Sequence, residues 1–174
     1  MTLVVVDLQH VFADPSSDWA APRFFDALPR VESLVQAFGD DVVFTRFVAP
    51  DEPQGAWRDY YRQWPFALQP PGAPLWDLVA PFAGRPSLDY ATFGKWDTRL
   101  AERTSDALVV AGVSTDCCVI STVLAAADAG TPVRVVADAC AGATDDSHQQ
   151  AIAVMRLYAP LVEVTTTAGE LARR

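Results

Sequence analysis

The second half of the chain alternates strand-like with helix-like segments, and this alternation constrains the fold more than any other feature. Apolar runs rich in β-branched residues occur at 106–112 and 131–139, and segments with helical signals occur at 115–130 and 144–159. A final strand is predicted in "LVEVTTT" and a short terminal helix in "AGELARR". Strands linked by helices over short connections lie parallel in one sheet, which helices cover on both faces.

The first half adds the remaining strands and an irregular segment. A β-favouring run over 2–6 predicts a strand buried on both faces, and helical spacing of apolar residues predicts a helix over 28–38. A second strand is predicted over 41–47. Residues 48–85 are rich in Pro and aromatic residues and show no clear period, so we predict an excursion with short helices in 55–63 and in "PLWDLVAPF". "RPSLDY" predicts a third strand and "DTRLAERT" a helical turn.

Together these elements predict one domain over residues 1–174. Its architecture is α/β, with three layers in the order α/β/α around a mainly parallel sheet of about six strands. A chain of this length can bury a full hydrophobic core.

Composition excludes several classes of function. The net charge of −9 argues against a nucleic-acid partner, because binding to phosphates requires a basic surface. No apolar stretch approaches the ~18 residues of a membrane span, so we expect no membrane partner. The start "MTLVVVD" has no basic leader, and we expect no signal peptide. The cysteine count of 3 is odd and two of the three are adjacent, which predicts free thiols and a cytoplasmic location.

Candidate chemical groups gather at one edge of the predicted sheet. Ligands of open parallel sheets bind outside the carboxyl ends of the strands, where Asp7, the loop after Tyr90 and the turn 112–118 are expected to lie. Cys118 is predicted in the first turn of a helix, where the helix dipole would lower the pKa of its thiol. A buried cysteine that packs as a small hydrophobe is the alternative. Cys117 lies about 100° further round a helix, so we expect only one of the two thiols to face the crevice.

Two further groups have both a catalytic and a structural interpretation. Asp7 ends an otherwise apolar strand and could deprotonate or orient a thiol, or could serve as an ordinary strand-end partner. Lys95 is the only lysine in an otherwise Arg-based chain. The pKa of a lysine, unlike that of an arginine, can be shifted into a useful range, although chance also explains a single lysine.

The histidines and aromatic residues give weaker signals. The chain has only His10 and His148, and a transition-metal site needs about three or more ligands at suitable spacing, so we expect no metal and no other cofactor. Aromatic residues of the excursion and its surroundings could line a pocket, or could simply cover the core. They are Trp57, Tyr60, Tyr61, Trp64 and Trp96.

Three segments resemble the isochorismatase-like cysteine hydrolase family, which includes nicotinamidases, N-carbamoylsarcosine amidases and isochorismatases. "LVVVDLQHVF" is similar to the opening strand of that family, which usually ends D-x-Q-x-D-F. "VVAGVSTDCCVISTVLAAADAG" is similar to its nucleophile segment, and "VRVVADACAGATDDSHQQAI" to the strand and helix that follow. The likeness covers most of the chain apart from 48–85.

The resemblance implies roles for individual residues. Cys118 matches the nucleophile and Asp7 the catalytic aspartate. A non-proline cis peptide is implied at Val113–Ser114, with backbone amides around Ser114 and Cys118 holding an oxyanion. The family also implies a small-molecule substrate and a homo-oligomer.

Two departures from the family pattern leave alternatives open. The usual lysine position corresponds to Tyr90, so either Lys95 reaches the crevice from another backbone position or the triad lacks its cation. The Asp-x-His metal pair of nicotinamidases is missing after the second strand, and Arg46 stands in that region instead. Arg46 could bind a carboxylate of the substrate or be a surface residue. The candidate pocket residues are Phe12, Arg46, Tyr90 and Trp96.

The function implied by the resemblance is hydrolysis of an amide or carbamoyl C–N bond of a small molecule. Cys118 would attack the carbonyl, Asp7 would accept the thiol proton and Lys95 would stabilise the charged pair. One alternative is a vinyl-ether hydrolase in which Asp7 protonates the substrate and the cysteine is dispensable. The other is a non-catalytic protein that keeps the fold without the lysine.

Overall fold

The computed structural model describes residues 1–174 and contains one sheet of six strands. All paired strands run parallel, in the order β3-β2-β1-β4-β5-β6, which confirms the predicted architecture. The strands are β1 (Thr2–Val6), β2 (Val42–Phe47), β3 (Ser87–Tyr90), β4 (Leu108–Val113), β5 (Val133–Ala141) and β6 (Val162–Thr165).

Helices cover both faces of the sheet. They are α1 (His10–Ala13), α2 (Phe24–Phe38), α3 (Trp57–Gln63), α4 (Thr98–Ala101), α5 (Ile120–Asp128), α6 (Asp145–Arg156) and α7 (Thr167–Leu171). Buried residues of α1, α2 and α3 pack on one face of the sheet, and those of α4, α5 and α6 pack on the other. None of these helices has the length and apolar character needed to cross a membrane.

The central strand β1 shows why the sheet has two cores. Successive side chains of a strand point to opposite faces, and Leu3 and Val5 join the core under α2 while Val4 and Val6 join the core under α5. All four side chains are fully buried. Burial of an aliphatic side chain of this size stabilises a fold by about 1.5–3 kcal/mol, so an unbroken apolar run is required at this position.

A glycine allows β1 and β4 to approach closely at their carboxyl ends. Gly112 pairs with Val6 and has a φ of 121°, a conformation that other residues rarely adopt. A Cβ at this position would lie 2.1 Å from the carbonyl oxygen of Val6. The residues that follow the two strands are therefore held close together, and these are Asp7 and the turn that contains Cys118.

The prediction of a helix in "PLWDLVAPF" is wrong beyond its first turn. Only Pro74–Trp76 is helical, as a single 3₁₀ turn. The next residues use their backbone groups elsewhere: His10 N–H donates to the carbonyl of Asp77, and Val79 N–H donates to the carbonyl of Leu8. The segment is thus tied to the chain that follows β1 and cannot form its own helical hydrogen bonds.

Candidate active site

A buried ion pair lies at the carboxyl end of β1. Nζ of Lys95 lies 2.9 Å from Oδ2 of Asp7, and both side chains are completely buried. Asp7 has a φ of 50°, in the left-handed region that Asp tolerates better than most residues, and its Oδ1 accepts a hydrogen bond from Thr45 at 2.7 Å. Oδ2 accepts no aligned hydrogen bond. This oxygen is therefore held by charge alone and has a free lone pair.

Lys95 reaches Asp7 from the loop after β3, five residues beyond Tyr90. Its backbone N–H donates to Oγ1 of Thr122, which itself donates to the carbonyl of Cys118. Its ammonium donates to the carbonyl of Thr92 at 2.9 Å and lies 5.1 Å from the centre of the Phe47 ring. Of the two sequence alternatives, this geometry corresponds to a lysine that reaches Asp7 from a different backbone position.

Tyr90, which stands at the usual lysine position of the family pattern, does not line the crevice. Its hydroxyl donates to Oδ1 of Asp97 at 3.0 Å, and its ring lies between Lys95 and the guanidinium of Arg99. Burial, and then the hydrogen bond to Asp97, raise the pKa of the phenol. The ring therefore helps to position the lysine, and its hydroxyl points to a structural partner.

The turn that carries the two adjacent cysteines is a π-helical turn over Thr115–Val119. The carbonyl of Ser114 accepts hydrogen bonds from the N–H groups of Cys117 and Val119, three and five residues later, and not from that of Cys118. Such turns widen the helix locally and are frequent at functional sites. Cys117 and Cys118 both line the crevice as a result, and the expectation that only one of them does so is wrong.

Thr115 and Asp116 are residue types that often cap a helix, but neither caps this turn. Ser114 occupies the cap position instead. Oγ1 of Thr115 lies 2.8 Å from Nδ1 of His148, and Oδ1 of Asp116 accepts from the N–H of Ala143. Both side chains therefore tie the nucleophile turn to the loop and helix after β5.

The peptide bond between Val113 and Ser114 is cis, at the position that the sequence resemblance implied. Ser114 lines the crevice together with Cys118. Because the amide of Cys118 does not donate to the carbonyl of Ser114, it lies outside the regular helical ladder. The cis peptide bond and Cys118 thus lie at the same wall of the crevice.

Cys118 is buried, with 2% of its surface exposed. Burial, and next the nearby negative charge of Asp7, raise the pKa of its thiol well above the ordinary value, while the ammonium of Lys95 acts in the opposite direction. Burial and the charge of Asp7 thus act against the lowering of this pKa that is expected from a position in the first helical turn. The thiol lies within reach of the Asp7 carboxylate, but the two groups are not aligned as a hydrogen bond. A neutral thiol thus faces a base that can receive its proton.

A cavity of about 350 Å³ opens over Cys118. Its walls are mainly aromatic, and they include Phe12 as expected. Among the aromatic residues considered from the sequence, Tyr60 and Trp64 line this cavity, whereas Trp57, Tyr61 and Trp96 do not. The lining residues are Phe12, Asp18, Trp19, Ala20, Phe47, Tyr60, Trp64, Phe93, Ser114, Cys117, Cys118 and Ala143.

Arg46 does not reach this cavity. Its guanidinium makes two hydrogen bonds to the carboxylate of Asp89, at 2.9 and 2.7 Å, and lies 3.6 Å from Asp77. These carboxylates raise the pKa of the arginine. Arg46 therefore joins β2 to β3 and to the excursion, and is not placed to bind a substrate carboxylate.

Residues that could ligate a metal ion are dispersed. No three His, Cys, Asp or Glu side chains are grouped closely enough to hold one. His148 is engaged with Thr115, and His10 is exposed on α1. The donor set for a zinc or iron site is thus not assembled by this chain.

Sequence reasoning did not identify several residues that build the site. Trp19 packs against Phe12, Phe47, Tyr60, Trp64 and Phe66, with ring centroids 5.3–6.4 Å apart. Gln9 is fully buried, and its amide bonds both backbone groups of Phe47 and the carbonyl of Trp76. The polar Gln9 directly after a buried strand was the available signal, since a buried amide needs several partners.

Comparisons with known proteins show a family and similar folds. The sequence matches the family model described as the isochorismatase domain over residues 1–169, and no curated protein sequence matches it. The structure is similar to a cysteine hydrolase from Pseudomonas syringae pv. phaseolicola 1448A, with a TM-score of 0.84, 23% identity and coverage of 99% of this chain and 91% of that one. It is also similar to a nicotinamidase from Bacillus subtilis, with a TM-score of 0.75, 21% identity and coverage of 94% and 98%. A pyrazinamidase of Pyrococcus horikoshii in complex with zinc gives a TM-score of 0.74, 19% identity and coverage of 95% and 98%.

Proposed function

The chain belongs to the isochorismatase family of hydrolases, and on that premise we propose that it hydrolyses an amide or carbamoyl C–N bond of a small molecule through a thioester on Cys118. The observation that carries this proposal is the buried Asp7–Lys95 ion pair beside the Cys118 thiol. Two opposite charges that are buried together destabilise a fold unless further contacts compensate their desolvation. Here the pair lies beside Cys118, the only buried cysteine that lines the aromatic cavity.

Acylation begins with a proton transfer. Sγ of Cys118 attacks the substrate carbonyl carbon while its proton passes to Oδ2 of Asp7, the carboxylate oxygen without an aligned donor. The carbonyl π electrons move to oxygen and give a tetrahedral oxyanion. As this oxyanion collapses, the C–N bond breaks, and the nitrogen takes the proton from Asp7 and leaves as ammonia or an amine. The acyl group remains on Cys118 as a thioester.

Deacylation repeats the same steps with water. Asp7, again a carboxylate, accepts a proton from water as the water oxygen attacks the thioester carbonyl. Collapse of the second oxyanion breaks the C–S bond, and the proton returns to the sulfur. The net reaction converts amide and water into carboxylic acid and amine. Lys95 keeps its proton throughout and stabilises whichever neighbour carries negative charge.

The backbone of the nucleophile turn supplies oxyanion donors in this proposal. We assign these donors to the backbone amides around Ser114 and Cys118, two residues that line the cavity. Fixed donors of this kind contribute about 2.7–4 kcal/mol each to stabilising an oxyanion. The proposal assigns no step to a metal ion, and no three His, Cys, Asp or Glu side chains are grouped closely enough to hold one.

Ammonia release from a panel of small primary amides and carbamoyl compounds tests the proposal. We expect at least one compound to be hydrolysed, with turnover abolished in Cys118→Ala and retained in the matched control Cys117→Ala, whose thiol also lines the cavity. Activity that survives in Cys118→Ala but is lost in Asp7→Asn would point instead to acid catalysis by the aspartate. A panel that wild type leaves intact would contradict the proposed reaction.

A further inference from the structure

One charged side chain lines the cavity, and the proposed reaction does not use it. Asp18 contributes to the wall, and no Lys or Arg side chain does. Asp18 is exposed, and it makes no ion pair and no side-chain hydrogen bond. Arg23, five residues later in the chain, is paired with Asp26 and Asp145 and not with Asp18. The carboxylate is thus free to interact with a bound molecule.

Aromatic rings that pack against one another line the cavity together with Asp18. Trp19 lies 5.7 Å from Tyr60, 6.4 Å from Trp64 and 6.2 Å from Phe12, measured between ring centroids. An aromatic face carries partial negative charge and attracts a cation placed within about 6 Å of its centre. Several rings around one cavity, together with one carboxylate, form a surface that favours positive charge.

No group in the cavity offsets this preference. Burial raises the pKa of Tyr60 above its ordinary range, and the thiols of Cys117 and Cys118 also have raised pKa values. A phenol or a thiol carries no positive charge in either protonation state, so these groups bring none to the wall. Lys95 does not line the cavity and is already matched by Asp7. An anionic substrate would find no partner here, and the net charge of −9 would repel it further.

We infer that the cavity selects amides whose acyl part carries a cationic group, such as a methylated or quaternary ammonium. The ammonium would lie in the cavity against the wall that Trp19, Tyr60 and Trp64 form, with Asp18 at the same wall, and the carbonyl would meet Cys118. A cavity of about 350 Å³ holds a small amide of this type. The amide in this inference rests on the proposed function. The preference for a cationic group rests on Asp18 and the aromatic rings.

Two amides of the same shape isolate the effect of charge. Trimethylglycinamide carries a quaternary nitrogen where tert-butylacetamide carries a carbon, so their binding differs chiefly through electrostatics. We would measure their Kd values by titration calorimetry on Cys118→Ala protein, in which the thiol cannot react. We expect the cation to bind about tenfold more tightly, as one desolvated cation–π contact supplies.

Substitutions in the Cys118→Ala protein assign the preference to particular residues. Asp18→Asn should reduce the ratio of the two Kd values by about fivefold, which corresponds to the loss of an exposed charge pair. Added salt should reduce this ratio in the same way. Trp64→Leu should reduce it by a similar factor while leaving the neutral amide bound. Asp128→Asn removes an equal charge at the end of α5, roughly 15 Å along the helix from Cys118, and should change neither Kd.

The outcomes separate this inference from the proposed function. Preferential binding of the cation that depends on Asp18 supports the inference, even if wild type releases no ammonia from either amide. Equal or tighter binding of tert-butylacetamide, or a preference unchanged in Asp18→Asn, overturns the inference, even if wild type hydrolyses both amides.

Discussion

Replacement of Lys95 by methionine is the most informative perturbation of the buried ion pair. Methionine keeps most of the length and apolar volume of the lysine side chain and removes the ammonium that lies 2.9 Å from Oδ2 of Asp7. The aspartate then remains completely buried, with the hydroxyl of Thr45 as its remaining side-chain donor. The substitution therefore leaves a buried charge uncompensated.

The cost of this change can be worked from the separation of the charges. At an effective dielectric constant of about 20, unit charges 2.9 Å apart attract by about 6 kcal/mol. Part of that attraction offsets the desolvation of the ammonium, which the variant no longer requires. We therefore expect Lys95→Met to lower the free energy of unfolding by about 3–5 kcal/mol, a large share of the ~5–15 kcal/mol of a typical domain.

Urea denaturation at neutral pH measures this loss, and the double variant Asp7→Asn/Lys95→Met is its control. Without either charge, the double variant should regain much of the lost stability while its turnover stays at least about a hundredfold below wild type. The pKa for alkylation of Cys118 should rise by more than about one unit in Lys95→Met, because the ammonium opposes the other influences on this thiol. A Lys95→Met protein with the unfolding midpoint and turnover of wild type would refute this reasoning.

Three further substitutions test separate contacts. Thr45→Val removes the hydrogen bond to the Asp7 carboxylate and should cost about 1.5–3 kcal/mol in urea denaturation; an unchanged midpoint would show that water replaces the hydroxyl. Burial raises the pKa of Cys140 from about 9 to about 12. As pH rises, the thiol therefore ionises in the unfolded chain before it does so in the folded protein. The free energy of unfolding that this thiol contributes is fully present below pH 9 and is lost as pH rises towards 12. Above pH 9, Cys140→Ala should reduce the slope of the free energy of unfolding against pH by up to ~1.36 kcal/mol per pH unit. Equal slopes in the variant and wild type would contradict this assignment. Gly112→Ala would place a Cβ 2.1 Å from the carbonyl oxygen of Val6 and should yield little folded protein by circular dichroism; normal folding would mean that the close approach is not needed.

The sequence was sufficient to predict the fold because the signals that determine it are local. Unbroken β-branched runs, helical spacing and short links specify a parallel sheet with covered faces. The same reasoning places Asp7 and Cys118 at one edge, since both follow strands that are adjacent and parallel in the structure. Their closeness also requires that β1 and β4 be neighbours in the sheet, and local signals do not specify that strand order.

Contacts between distant segments explain what the sequence did not predict. Lys95 is positioned by Thr122, 27 residues later in the chain, and no local pattern reports such a bond. The π-helical turn at Cys117 and Cys118 depends on the two hydrogen bonds that the carbonyl of Ser114 accepts. It also depends on the contact between Thr115 and His148. The contact between Thr115 and His148 joins residues 33 positions apart, and such tertiary contacts override the helix expected from local propensity.

The cavity walls were the least predictable part of the site. They come from the loop at Asp18 and Trp19 and from Tyr60 and Trp64, in segments without hydrophobic periodicity. Aromatic residues in such segments are equally compatible with a core or a pocket. Only their assembly around the thiol distinguishes the two roles.

The central claim is that Cys118, rather than its neighbour Cys117, carries the acyl group during turnover. The most direct test is to quench wild-type protein in acid during hydrolysis of the best amide from the panel and to fragment the peptide that contains both cysteines in a mass spectrometer. We predict an added mass equal to the acyl group on Cys118, which is absent from Asp7→Asn protein treated in the same way. An acyl group on Cys117, or steady turnover with no acylated cysteine at any time point, would contradict the account.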